Sequence, residues 1–135
     1  MKITICGSQM FCKEMEKAQE HLKKLGHEAF TPDYLITEEE YQAKHGREKL
    51  LEMKPTWTKN HFKKIEGSDA ILIINHEKRG VKGYFGSNTL IELSIAFYLG
   101  KKIFLLNKIG ENHPHYEELI GIKPIILDGD LDKIK

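Results

Sequence analysis

Cysteine is scarce in this chain: Cys6 and Cys12 are the only two among 135 residues. They are too few and too badly spaced for a zinc site or a disulfide framework, so they read as free, buried thiols of a reducing compartment. An excess of charge of one sign is also missing. Lys and Arg total 21 and Asp and Glu total 20, for a net charge of +1. No global field therefore draws the chain to nucleic acid or to an anionic membrane, and neither is expected as a partner. Long apolar runs are absent as well. Polar residues interrupt the opening Met1–Ile5 run too early for a signal peptide, and no window is long enough to span a bilayer. A cytoplasmic location is expected. What is present is 40% hydrophobic and 30% charged residues. That balance suits one folded domain over 1–135, large enough for a proper core.

The apolar runs are short and alternate with helical patterns. Ile3–Cys6 reads as a first buried strand stopped by Gly7-Ser8. Met15, Ala18, Leu22 and Leu25 recur at helical spacing up to Gly26, a good terminator. Glu28–Thr31 reads as a second strand, ended by Pro32. Ala70–Asn75 lacks polar alternation, so both faces of this third strand are expected to be covered. A helix over Thr89–Leu99 follows, then a strand over Lys102–Asn107, a short helix over His115–Ile120 and a strand over Pro124–Leu127. The pattern predicts an α/β, flavodoxin/Rossmann-like three-layer sandwich. Its five-stranded parallel sheet takes the order 2-1-3-4-5. Residues 33–54 interrupt the alternation with ten charged residues in twenty-two, read as a solvated, lid-like helical insertion. A short amphipathic helix over Thr58–Ile65 leads into the third strand.

Ligands on such sheets bind beyond the carboxyl ends of the strands, where the strand order reverses. That rule selects Gly7 and Ser8 after the first strand, Asn75 after the third and Asn107 after the fourth. Gly80, Gly83 and Gly86 punctuate a loop that carries Tyr84 and Phe85, and glycine lets backbone approach a ligand closely. The helix after this loop is apolar almost all round and is expected to be buried, with Glu92 its only charge. A carboxylate there is paired, hydrogen-bonded or placed at a cleft. Thr89-x-x-Glu92 also fits a capping box, which would put Glu92 in the first turn, where the helix dipole favours its ionised form. Asp69 precedes the third strand, at the end of the sheet opposite the expected ligand site. His113-Pro114-His115 reads as a surface loop, no metal site is assigned, and the remaining histidines receive no role. Trp57 among Lys54, Lys59, Lys63 and Lys64 reads as part of a solvated helix face.

Three segments together resemble the nucleoside 2-deoxyribosyltransferase superfamily, which includes 2'-deoxynucleoside 5'-phosphate N-hydrolases. They are Ile3–Ser8, Ser68–Asn75 and Gly86-Ser87-Asn88-Thr89-Leu90-Ile91-Glu92-Leu93-Ser94-Ile95-Ala96. The resemblance implies N-glycosidic cleavage or base exchange on a nucleoside or nucleotide, with Glu92 as the nucleophile that forms a covalent glycosyl intermediate. It implies a functional aspartate at Asp69, a substrate pocket involving Gly7, Ser8, Tyr84, Gly86 and Asn88 with Asn75 and Asn107, no cofactor, and a homodimer. Gly86 stands six positions before Glu92, where many of the transferases carry an acidic residue. A nucleotide-binding module without catalysis is the alternative on the same fold.

Overall fold

The most apolar stretch of the chain, Ala70–Ile74, is fully covered on both sides, and the rest of the fold is arranged around it. The computed structural model describes residues 1–135. The strands are β1 (Lys2–Gly7), β2 (Glu28–Phe30), β3 (Ala70–Ile74), β4 (Lys102–Leu105) and β5 (Ile125–Ile126). They form one all-parallel sheet in the order β2-β1-β3-β4-β5. Helices cover both faces: α1 (Cys12–Lys24), α2 (Glu38–His45), α3 (Arg47–Glu66), α4 (Ser87–Tyr98) and α5 (Tyr116–Gly121). No helix is long and apolar enough to cross a membrane.

Side chains alternate across a strand, so β3 feeds two cores. Ala70, Leu72 and Ile74 pack with Met15, Ala18 and Leu22 of α1. Ile71 and Ile73 pack with Ile65 of α3 and with Leu93 and Ala96 of α4. Each fully buried Ile or Leu contributes about 1.5–3 kcal/mol. The sheet's amino edge is tied down by polar groups. Thr4 donates to the Ser68 hydroxyl at 2.7 Å, and Ser68 in turn donates to the Lys64 carbonyl at 2.7 Å.

The segment 33–54 is not one solvated helix. Gly46, at φ +85°, separates α2 from α3, and α3 then runs unbroken through Pro55 to Glu66. Tyr41 and Leu50 are buried. Tyr34 stacks on Trp57 with ring centroids 5.5 Å apart, and Tyr41 meets Trp57 edge-on at 5.0 Å. Trp57 therefore belongs to a small, partly exposed aromatic cluster against this segment. Asp33 locks the segment's start. Hydrogen bonds from Lys64 at 2.6 Å and Asn60 at 2.9 Å hold its carboxyl below the usual carboxylate range.

Helix α4 also departs from expectation. Thr89, Leu93 and Ala96 face the core, but the outer face leaves Ile91, Phe97, Tyr98 and Leu99 exposed, Tyr98 by 87%. The helix begins at Ser87 with extended Gly86 as its cap, three residues earlier than the Thr89 cap the capping box required. Thr89 is then an interior, buried residue that caps nothing, and Glu92 sits in the second turn.

His113 was expected on a surface loop and is instead buried, its ring 5.0 Å from Phe85. Its Nδ1 accepts from the His115 backbone N–H at 3.1 Å, so the neutral imidazole suits the site. Burial, and then His115, lowers its pKa from the ordinary 6.5. The unfolded chain therefore binds this proton more readily. The stabilisation is present above pH 6.5 and is lost as the pH falls below it towards the folded value. Urea unfolding across this range should show stability declining with acidification, and His113→Asn should flatten the slope.

Candidate active site

Three elements meet at the carboxyl half of β1 on the α3–α4 face. Cys6 is the penultimate residue of β1 and fully buried. His61 lies on the inner face of α3, one turn before Ile65, with its side chain 7% exposed. Glu92 projects from α4 with its side chain 14% exposed, the one member of the three that reaches solvent. His61 Nε2 lies 2.7 Å from Glu92 Oε2 and 3.5 Å from Cys6 Sγ. The His61–Glu92 contact is close enough for an ion pair, yet Glu92 Oε2 and His61 Nδ1 both lack a hydrogen-bond partner. The contact is therefore charge proximity rather than an aligned hydrogen bond. Burial raises the Cys6 thiol well above its ordinary pKa, and the Glu92 carboxylate adds to this, so the thiol is held protonated.

The chemical content of this group is a carboxylate at the mouth of a dry recess with an imidazole against it. Such a pair can attack an electrophilic carbon and move a proton to or from the same place.

The other residues selected from the sequence are placed differently. Gly7 and Ser8 end β1 next to Cys6, and the Ser8 side chain makes no cap hydrogen bond to the following turn. Gly86 caps α4, and Asn88 is exposed in its first turn. Tyr84 is half-buried, with the Lys78 ammonium 4.9 Å above its ring.

Asn75 is fully buried, and its amide is spent on the fold. It donates to the Asn107 carbonyl at 2.8 Å and the Gly83 carbonyl at 3.4 Å, and it accepts from the Asn107 N–H at 2.8 Å. Asn107 Nδ2 returns a bond to the Asn75 carbonyl at 3.3 Å. These two asparagines clamp the ends of β3 and β4 together.

The glycine loop has the same structural character. A Cβ on Gly83, at φ +69°, would lie 2.7 Å from the Lys108 carbonyl oxygen, so the close approach serves packing against residues 108–109.

Asp69 is not brought to Glu92. Its Oδ2 accepts from the Lys2 N–H at 2.7 Å, and its own N–H donates to the Lys2 carbonyl at 2.8 Å. It braces the amino edge of the sheet, at the far end of β3 from the recess.

A cleft of about 420 Å³ lies on the α1 face and is lined by His21, His76 and Asp130 among others. Glu92 is not part of it, and the close chemical group, not this cleft, marks the candidate site.

His61 and Cys6 were not singled out from the sequence. His61 occupies a position of α3 that helical spacing assigns to the core, four before Ile65. That is a signal of a specialised histidine, but its partner is 31 positions away.

The fold is shared with solved structures of two enzymes. The chain is similar in structure to the 2-deoxyribosyltransferase of Bacillus psychrosaccharolyticus, with a TM-score of 0.53 and 24% identity over 78% of this chain and 71% of that one. It is also similar to the CMP N-glycosidase of Clostridium botulinum, with a TM-score of 0.53 and 15% identity over 95% of this chain and 89% of that one. No family model and no curated protein matches the chain by sequence.

Proposed function

We propose that this protein cleaves or exchanges the N-glycosidic bond of a nucleoside or nucleotide through a covalent glycosyl intermediate on Glu92. The observation that carries this reading is the largely buried Glu92 carboxylate with His61 Nε2 at 2.7 Å, at the carboxyl end of the sheet. The shared fold supports it, because the two similar structures are a transferase and an N-glycosidase acting on such compounds. A Glu92 oxygen attacks C1′ of the sugar, the C1′–N bond breaks, and the base leaves with the electron pair. His61, when protonated, supplies the proton the departing base needs. It then accepts a proton from the water that resolves the ester, while a second base resolves it in the exchange reaction. No second carboxylate joins Glu92 in this group, so the acid–base role falls to the imidazole. Gly86, where many transferases carry an acidic residue, is consistent with that division of labour.

The pocket of this reading is completed by Ser8, Gly7 and Gly86, with Tyr84 and Asn88 at its rim. The free N–H groups at the start of α4 favour an anionic or oxygen-rich group. Asp69, Asn75 and Asn107 have framework roles. Incubating the protein with deoxynucleosides, ribonucleosides and their monophosphates, with and without an acceptor base, tests the reading by chromatography. Release or exchange of base on at least one of them is expected. Inertness towards the whole panel, with binding intact, would favour the non-catalytic alternative.

A homodimer is part of the same proposal. Ile91, Phe97, Tyr98 and Leu99 are exposed on α4 and at its end, and a second copy would cover them. Light scattering on the eluting protein should give twice the chain mass, and Tyr98→Glu should give the monomer.

A further inference from the structure

The recess gathers a donor set that suits a metal ion. Cys6, His61 and Glu92 come from a strand and two helices, and their sulfur, nitrogen and oxygen atoms all lie within 4.8 Å of one another. A tetrahedral zinc ion holds such ligand atoms about 3.3–3.6 Å apart. The Cys6 Sγ–His61 Nε2 separation is already 3.5 Å. The His61–Glu92 separation of 2.7 Å reaches the required value if the carboxylate, on the one partly exposed side chain, swings out by about 0.6–0.9 Å.

Two further observations point to a ligand. Glu92 Oε2 is buried and lacks a hydrogen-bond partner despite lying against the imidazole, and His61 Nδ1 is also unpartnered. Buried polar atoms left in this state call for an explanation, and a cation between Nε2, Oε2 and Sγ supplies one for the atoms that converge.

We propose that Cys6, His61 and Glu92 form a binding site for Zn²⁺, and that zinc and the glycosyl substrate compete for Glu92. Thiolate, imidazole and carboxylate together select a borderline-soft ion over Mg²⁺ or Ca²⁺. Three protein ligands leave one position open, on the side where Glu92 meets solvent. Binding displaces the thiol proton to the buffer: Cys6–SH and Zn²⁺ give Cys6–S–Zn⁺ and H⁺. Thiolate and carboxylate then neutralise the dication, so no net charge is buried. Once ligated, the Glu92 oxygen has donated its lone pair to the metal and is withdrawn from attack on C1′. This inhibitory consequence rests on the proposed function, whereas zinc binding itself does not.

The test uses the full chain stripped with a chelator. Titration with Co²⁺ reports the site through its thiolate-to-metal charge-transfer absorption, and elemental analysis after gel filtration reports zinc per chain. One ion per chain and a charge-transfer band are expected. The band should vanish in Cys6→Ser and persist in Cys12→Ser, and Glu92→Gln should weaken binding at least tenfold. Circular dichroism checks that each variant folds. Should Cys6→Ser fail to fold, Glu92→Gln and His61→Ala carry the same comparison through their affinities.

Where nucleoside cleavage is detected, micromolar zinc should suppress it and chelator should restore it. Zinc bound at one per chain by a protein that stays inert to every nucleoside after the metal is stripped would keep the site and sink the glycosyl reading. Absence of the band and of stoichiometric zinc, or binding unchanged in Cys6→Ser, would overturn the site.

Discussion

Glu92→Gln should lower nucleoside cleavage by at least about a thousandfold while leaving the fold intact. The amide has the shape of the carboxyl group but cannot form the glycosyl ester, so only catalysis not routed through the nucleophile survives. Folding should tolerate the change. Glu92 contacts His61 without an aligned hydrogen bond, and its side chain meets solvent. The pair is largely buried, with side chains 7% and 14% exposed, but Gln keeps the shape and removes the charge together with its desolvation cost, and a neutral imidazole can face the amide. The thiol of Cys6 gives an internal control. Burial remains as the main cause of its raised pKa, but the Glu92 contribution is gone, so the thiol should ionise somewhat more readily in the variant. Initial rates on the preferred nucleoside, beside urea unfolding curves, separate the two effects. A loss of activity matched by a loss of structure would count against a nucleophilic role.

Asn75→Asp should destabilise the protein by about 3–5 kcal/mol at neutral pH, a large part of a typical folding free energy. The Asn75 amide donates to two carbonyls, those of Asn107 and Gly83, in a place with no exposure to water. The substitution keeps the shape and aims a carboxylate at both oxygens. The protonated carboxyl is favoured there, so its folded pKa rises above the unfolded one. With that sign, the deficit is largest at neutral pH and shrinks as the pH falls towards the ordinary aspartate range. Urea midpoints at neutral and mildly acidic pH should therefore converge on those of the parent chain. An unchanged midpoint at neutral pH would show that the clamp does not hold β3 to β4.

Most of the architecture was legible because it rests on local patterns. The uninterrupted Ala70–Ile74 run demanded a strand covered on both faces, and the alternation of short apolar runs with helical spacing led to the observed strand order. Local patterns failed where long-range contacts decide. Asn75 and Asn107 lie at the carboxyl end of the sheet, where ligands bind, but the two side chains are consumed in holding β3 to β4. Thr89 and Glu92 have capping-box spacing, yet Gly86 starts the helix earlier and turns Thr89 inward. The charged composition of 33–54 hid the packing of Tyr34, stacked, and Tyr41, edge-on, against Trp57, which lies outside that segment. Glu92 stood out as the lone charge of an apolar helix. Its neighbours Cys6 and His61 are 86 and 31 positions away, so only the folded chain brings them to it.

The covalent intermediate is the most direct point of attack. Protein mixed with excess of a cleaved nucleoside, quenched in acid during turnover and examined by intact mass spectrometry, should gain the mass of one glycosyl unit. Peptide mapping should place that unit on Glu92. Its absence in a preparation that turns over, or its presence on a different residue, would contradict the account.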